Sequence, residues 1–150
     1  MTRKLAATLT LPLLALATGG CVESPTPPQA FLWEGTLEPS ADAELGITGS
    51  LAIASERRTQ VGIGIEGGEE GETYGWLVRE GSCQGNGDPV VSRDVFPALT
   101  ADEAGMAQME AMLHIRLSES AELSGEVTES PDGGDVLACG DLHPEDPPET

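Results

Sequence analysis

MAQMEAMLHIRL (residues 106–117) is the stretch whose reading decides the fold. Its composition is that of a helix, since Met, Ala, Gln, Glu and Leu all have good helix propensity. Its pattern is that of a strand. Ala107, Met109, Ala111, Leu113, Ile115 and Leu117 alternate without a break against Gln108, Glu110, Met112, His114 and Arg116. A period of two is what a pleated strand with one buried face requires. The preceding TADEAG (residues 100–105) suits a hairpin turn. The stretch therefore reads as a strand, and the rest of the chain agrees.

Upstream, FLWEGTLE (31–38), ITGSLAIAS (47–55) and TQVGIGIEG (59–67) also alternate, the last placing Val61, Ile63 and Ile65 on one face. GGEEGET (67–73) is a turn, and YGWLVRE (74–80) is the next strand. Residues 81–105 form a long loop rich in Gly, Pro and Asp, with Val90, Val91, Val95, Phe96 and Leu99 available to tuck it onto the core. ELSGEVTES (122–130), a PDGG turn and DVLACGDL (135–142) close the domain. Short strands with frequent turn signals point to an all-β antiparallel sandwich or barrel.

The first twenty residues stand apart. Arg3 and Lys4 precede an apolar run from Leu5 to Leu16, a length that suits a secretory signal and is too short to span a bilayer. The run ends in LATGGC, similar to a bacterial lipobox, which makes Cys21 the expected lipid attachment site. The competing reading is ordinary cleavage near Ala15-Leu16-Ala17, releasing a soluble secreted protein. VESPTPPQA after Cys21 has the composition of an extended spacer. The expected organisation is a lipoprotein signal peptide (1–20), a proline-rich tether (21–30), a β-sandwich (31–142) and a disordered acidic tail (143–150). Such a chain is anchored to a membrane through lipid and faces the periplasm or the exterior of a bacterial cell envelope.

After residue 20 the chain keeps five arginines and no lysine against 26 acidic residues, a net charge of −21. A surface this acidic disfavours nucleic acid and anionic lipid headgroups as partners. With Cys21 lipidated, Cys83 and Cys139 remain as an even pair in an oxidising compartment, which suggests one disulfide. Closing a loop of that length contributes about 4 kcal/mol in the chain-entropy account.

Four segments, YGWLVREGSC, ADEAGMAQMEAML, GEVTESPDGG and LACGDL, occur in the order found in copper-zinc superoxide dismutases. The chain resembles that family over roughly residues 31–142, and the resemblance implies that this β-sandwich is superoxide-dismutase-like, an eight-stranded Greek-key β-barrel. It also implies that Cys83 and Cys139 form the family's bridge between the loop and the Ala-Cys-Gly strand. The metal ligands do not carry over. The copper-ligand histidines align with Leu77, Arg79 and Thr128, the zinc-loop segment (84–105) has no histidine, and the arginine that guides the anionic substrate aligns with Val136. Copper and zinc both require nitrogen or sulfur donors that these positions lack. For Arg79, the expected alternatives are an ion pair with Glu80 or Glu129, or a solvent-facing side chain.

The expectation is thus a non-catalytic envelope lipoprotein with a binding or structural role, no cofactor, and a protein or small-ligand partner that the sequence does not name. The alternatives are a divergent dismutase with a rearranged site, or a copper-handling protein. For the latter, Met106, Met112 and His114 would share one strand face with Met109 on the other, and thioethers suit Cu(I). Carboxylates in EGGEEGE (66–72) and PDGGD (131–135) offer oxygen ligands for calcium, although neither matches an EF-hand loop.

Overall fold

The structure, a computed structural model, describes residues 30–145. The segment expected to be a signal peptide, Cys21, residues 21–29 of the expected tether and residues 146–150 lie outside the described residues. Eight strands form: β1 (Phe31–Pro39), β2 (Thr48–Ser55), β3 (Thr59–Glu66), β4 (Thr73–Glu80), β5 (Leu99–Thr100), β6 (Ala107–Leu113), β7 (Leu123–Ser130) and β8 (Gly133–Glu145). They pair antiparallel in the order β5-β4-β7-β8-β1-β2-β3-β6, rolled into a nearly closed barrel or sandwich. One 3₁₀ turn (Arg93–Val95) is the only helical element among the described residues.

The deciding stretch is a strand over Ala107–Leu113. It pairs with β3 from Ile65↔Ala107 to Thr59↔Leu113. Ala107, Ala111 and Leu113 are buried and Met109 is half-buried, so packing one alternating face outweighs the helical composition. In the turn before it, the Asp102 carboxylate accepts from the backbone N–H groups of Ala104 and Met106, each at 2.9 Å. His114 lies beyond the end of β6.

The core is filled by the inward residues of all the long strands, Trp33, Leu37, Leu51, Val61, Trp76 and Val127 among them. The long loop is more structured than its composition indicates. Leu99 and Thr100 pair with Tyr74 and Thr73 as β5. Further back, Glu80 N–H donates to Asp88 O (2.9 Å) and Val90 N–H to Val78 O (3.0 Å), which covers an edge of β4 that would otherwise be open to pairing. Trp76 fastens the far part of the loop: its ring meets Phe96 edge-on at 5.0 Å, and its indole N–H donates to Pro97 O at 2.6 Å. Phe96 and Leu99 are buried as their apolar character suggests, while Val95 remains exposed.

β8 continues past Leu142. Glu34↔His143, Trp33↔Pro144 and Leu32↔Glu145 extend its pairing with β1. These last residues are exposed, so ladder pairing rather than side-chain burial places them.

Candidate functional site

Strands β2 and β3 alternate buried with exposed, as a sheet with one wet face must. β4 and β7 do not. Tyr74–Val78 and Leu123–Thr128 are buried without interruption, so both faces of this pair are covered. The inward face is marked by Gly125, where an added Cβ would meet Leu51 and Leu37 of the core. The outward face carries Leu77, Arg79, Glu126 and Thr128, because the register sets Leu77 opposite Glu126 and Gly75 opposite Thr128. The loop between β4 and β5 roofs this face. The three positions aligned with copper ligands therefore lie together on one covered surface.

A charge network fills it. Glu126 accepts from Arg79 Nε at 3.1 Å and from Arg79 Nη2 at 2.7 Å, a two-point contact of the kind that fixes both planes. Arg79 Nη1 donates to Gly87 O at 2.8 Å, tying the roof to the pair. Arg93, from the 3₁₀ turn, brings Nη2 to 3.7 Å from Glu126 and donates from Nη1 to Thr128 Oγ1 at 3.3 Å. Thr128 Oγ1 in turn donates to Ser130 O at 2.9 Å. Leu77 is fully buried alongside.

The partner of Arg79 is therefore Glu126, in place of the expected Glu80 or Glu129. The period of two explains the difference: Glu80 adjoins Arg79 and points to the opposite face, and Glu129 stands an odd number of positions from Glu126. Arg93 carried no signal in the sequence beyond being one of few arginines, because only the folded loop brings it over β7.

Cys83 and Cys139 form a disulfide with Cα atoms 6.0 Å apart, as expected. Beside it, Cys83 N–H donates to Asp141 Oδ1 and Gly81 N–H to Glu122 O, both at 2.8 Å. The root of the loop is thus held to the barrel covalently and by hydrogen bonds. At Gly140 an added Cβ would collide with the carbonyl of Thr36, so the closeness of β1 and β8 there requires glycine.

Val136 is half-buried and is the cross-strand partner of Thr128. It lies on a cleft of about 1050 Å³ that Asp42, Glu44, Glu69, Glu72, Glu129 and Asp135 also line. No arginine lines this cleft. Its potential is negative and works against an anionic substrate.

Of the remaining sequence candidates, the two exposed methionines of the β6 stretch stand far apart. Met106 and Met112 are exposed, but six positions of extended chain separate them by about 20 Å, so no single ion reaches both sulfurs. Among the described residues, no group of three or more His, Cys, Asp or Glu is placed to hold a metal ion. At the aligned copper positions the donor chemistry does not fit a cupric ion. Leucine has no donor, threonine offers a neutral hydroxyl already bonded, and a guanidinium stays protonated and repels cations.

No protein-family model matches the chain, and no curated protein matches it.

Proposed function

We propose that the chain is a non-catalytic cell-envelope lipoprotein, a binding or structural module on a superoxide-dismutase-like barrel whose metal centre has been replaced by an ion-pair network. The strand order supports the Greek-key part of this reading. β7 returns to lie beside β4 and β6 lies beside β3, the skipped neighbours that a Greek key produces. The disulfide between the GSC loop and the ACGDL strand supports it independently.

One observation carries the functional conclusion: the outward face of β4 and β7 presents Arg79, Glu126, Arg93 and Thr128 to one another, with Leu77 beside them. In a metalloenzyme an ion in such a place both reacts and ties loop to barrel. Here the second task is performed by side chains, and nothing there can cycle between oxidation states. The acidic cleft beside Val136 argues in the same direction.

The test is elemental analysis of the chain purified after exposure to copper and zinc, with superoxide turnover measured on the same sample. Substoichiometric metal and no turnover above buffer are expected. One copper per chain with turnover would overturn the reading in favour of a rearranged dismutase. Tight Cu(I) binding abolished by replacing Met112 and His114 would favour a copper-handling protein.

A further inference from the structure

Asn86 is the only asparagine in the chain, and it stands in the sequence Gly85-Asn86-Gly87. An asparagine followed by glycine carries an electrophile and a nucleophile side by side. The glycine nitrogen, unhindered by a side chain, reaches the asparagine amide carbon wherever the backbone is free to turn. Asparagine is for this reason a thermally labile residue. Strand pairing suppresses the reaction by engaging the N–H and fixing the backbone. Neither protection is present here. Asn86 is exposed, both residues lie outside any strand, and among the described residues the Gly87 N–H donates to no carbonyl.

The loop is instead fastened on either side of this bond. Before it, Cys83 is bridged to Cys139 and its N–H donates to Asp141 Oδ1 at 2.8 Å. After it, Gly87 O accepts from Arg79 Nη1 at 2.8 Å and Asp88 O accepts from Glu80 N–H at 2.9 Å. Val90 N–H then donates to Val78 O at 3.0 Å. Gly87 lies so close against β4 that an added Cβ would overlap the carbonyl of Glu80. Only residues 84–86 span the distance between the two clamps, and the second clamp has no room to yield inward.

We propose that Asn86 is a spontaneous modification site whose conversion to isoaspartate detaches the loop from Arg79. The Gly87 nitrogen attacks the Asn86 side-chain amide carbon and gives up its proton; a C–N bond forms and ammonia leaves. Water then opens the five-membered imide that results. Opening at one carbonyl gives aspartate, and opening at the other gives isoaspartate, whose main chain runs through the former side chain. Nothing is oxidised or reduced, and water is the one co-reactant. Isoaspartate lengthens the short span by a methylene and adds a carboxylate two positions from Asp88. Because Gly87 already rests against Glu80, the extra length moves it outward. Gly87 O is thereby drawn off the guanidinium that also holds Glu126. A chemical change at the surface thus reaches the ion pair beneath the roof.

The test incubates the full chain, disulfide intact, at neutral pH, and samples are taken over days. In digests, the peptide containing Asn86 is expected to gain one mass unit, with an equal amount of ammonia released and isoaspartate detected by an isoaspartyl methyltransferase. Asp132-Gly133 forms isoaspartate with no change of mass, so peptide position and mass together separate the two. In the converted protein, hydrogen exchange at the Glu80 and Val90 amides should accelerate by roughly tenfold, the factor that one charged hydrogen bond supports. Asn86→Gln should stay unconverted and keep slow exchange. Asn86→Asp brings the charge without the added methylene, and its exchange should match that of fresh protein. No mass gain at Asn86, over the time in which a free peptide of residues 82–90 converts, overturns the site. Conversion that leaves exchange at Glu80 and Val90 unchanged, or exchange equally fast in fresh Asn86→Asp, overturns detachment through the lengthened main chain.

Discussion

The Arg79 guanidinium closes on the Glu126 carboxylate through two hydrogen bonds, 2.7 and 3.1 Å long, and Glu126 is only 6% exposed. A carboxylate at that depth cannot rely on water for its solvation, so it depends on the arginines around it. Because Arg79 also holds Gly87 and Arg93 comes from the 3₁₀ turn, the same pair that neutralises Glu126 fixes the roof of the β4–β7 face.

Removing one partner should therefore cost more than removing both. Arg79→Ala leaves Glu126 with Arg93 at 3.7 Å as its remaining cation, and a loss of about 2–4 kcal/mol is expected, reduced from the fully buried case because Arg79 is partly open to solvent. Arg79→Leu combined with Glu126→Leu removes the stranded charge and should cost less than Arg79→Ala alone. Urea unfolding of the variants measures both. Costs that simply add would mean the two side chains do not depend on each other.

The fold was legible where the period of two was strong, above all in β3, whose buried Val61, Ile63 and Ile65 stand out directly. β6 was legible despite its composition, because alternation reports burial while propensity reports only the isolated backbone. What remained hidden depends on the loop. β5 is two residues long, too short for any pattern, and exists because Tyr74 and Thr73 offer it an edge. Likewise Glu126 is invisible as the partner of Arg79 until the β4–β7 register is known, and Arg93 until its turn is placed. The disulfide could be anticipated by counting cysteines; the ion network could not be found by counting charges.

Two glycines on strands should respond to alanine in opposite senses. At Gly140 a Cβ meets backbone of Thr36, which cannot swing aside, so Gly140→Ala should separate β1 from β8 and destabilise by about 2–3 kcal/mol, in the range of overpacked cores. At Gly62 a Cβ meets nothing within 4 Å and φ is not positive, so Gly62→Ala should gain about 0.5–1 kcal/mol from the lost freedom of the unfolded chain. Thermal melts of the two variants decide the matter; a stable Gly140→Ala would contradict the close approach of Thr36.

Reduction of Cys83–Cys139 should lower stability by about 3–4 kcal/mol, since the bridge spans 56 positions of sequence. At an m-value near 2 kcal/mol per molar, that moves the urea midpoint down by roughly 1.5–2 M. Unfolding with and without reductant provides the comparison, and Cys83→Ser with Cys139→Ser should reproduce the reduced curve. Superimposable midpoints would show that hydrogen bonds at Gly81 and Cys83 already hold the loop root.

Salt should stabilise this protein, contrary to what a fold resting on surface ion pairs would show. The carboxylates lining the cleft beside Val136 face no arginine, and their mutual repulsion weighs on the folded state, where they are held together. Raising ionic strength from about 0.01 to 0.15 M shortens the screening length from roughly 30 to 8 Å and relieves that repulsion. The Arg79–Glu126 pair is mostly sheltered and loses little over the same range, so the balance favours stabilisation. A rise of about 1 kcal/mol, or roughly 4 °C in Tm, is expected. The slope with salt should steepen in Arg57→Glu/Arg58→Glu, which makes the surface still more acidic. A Tm that falls as salt is added would mean that exposed attractions outweigh the repulsion among the cleft carboxylates.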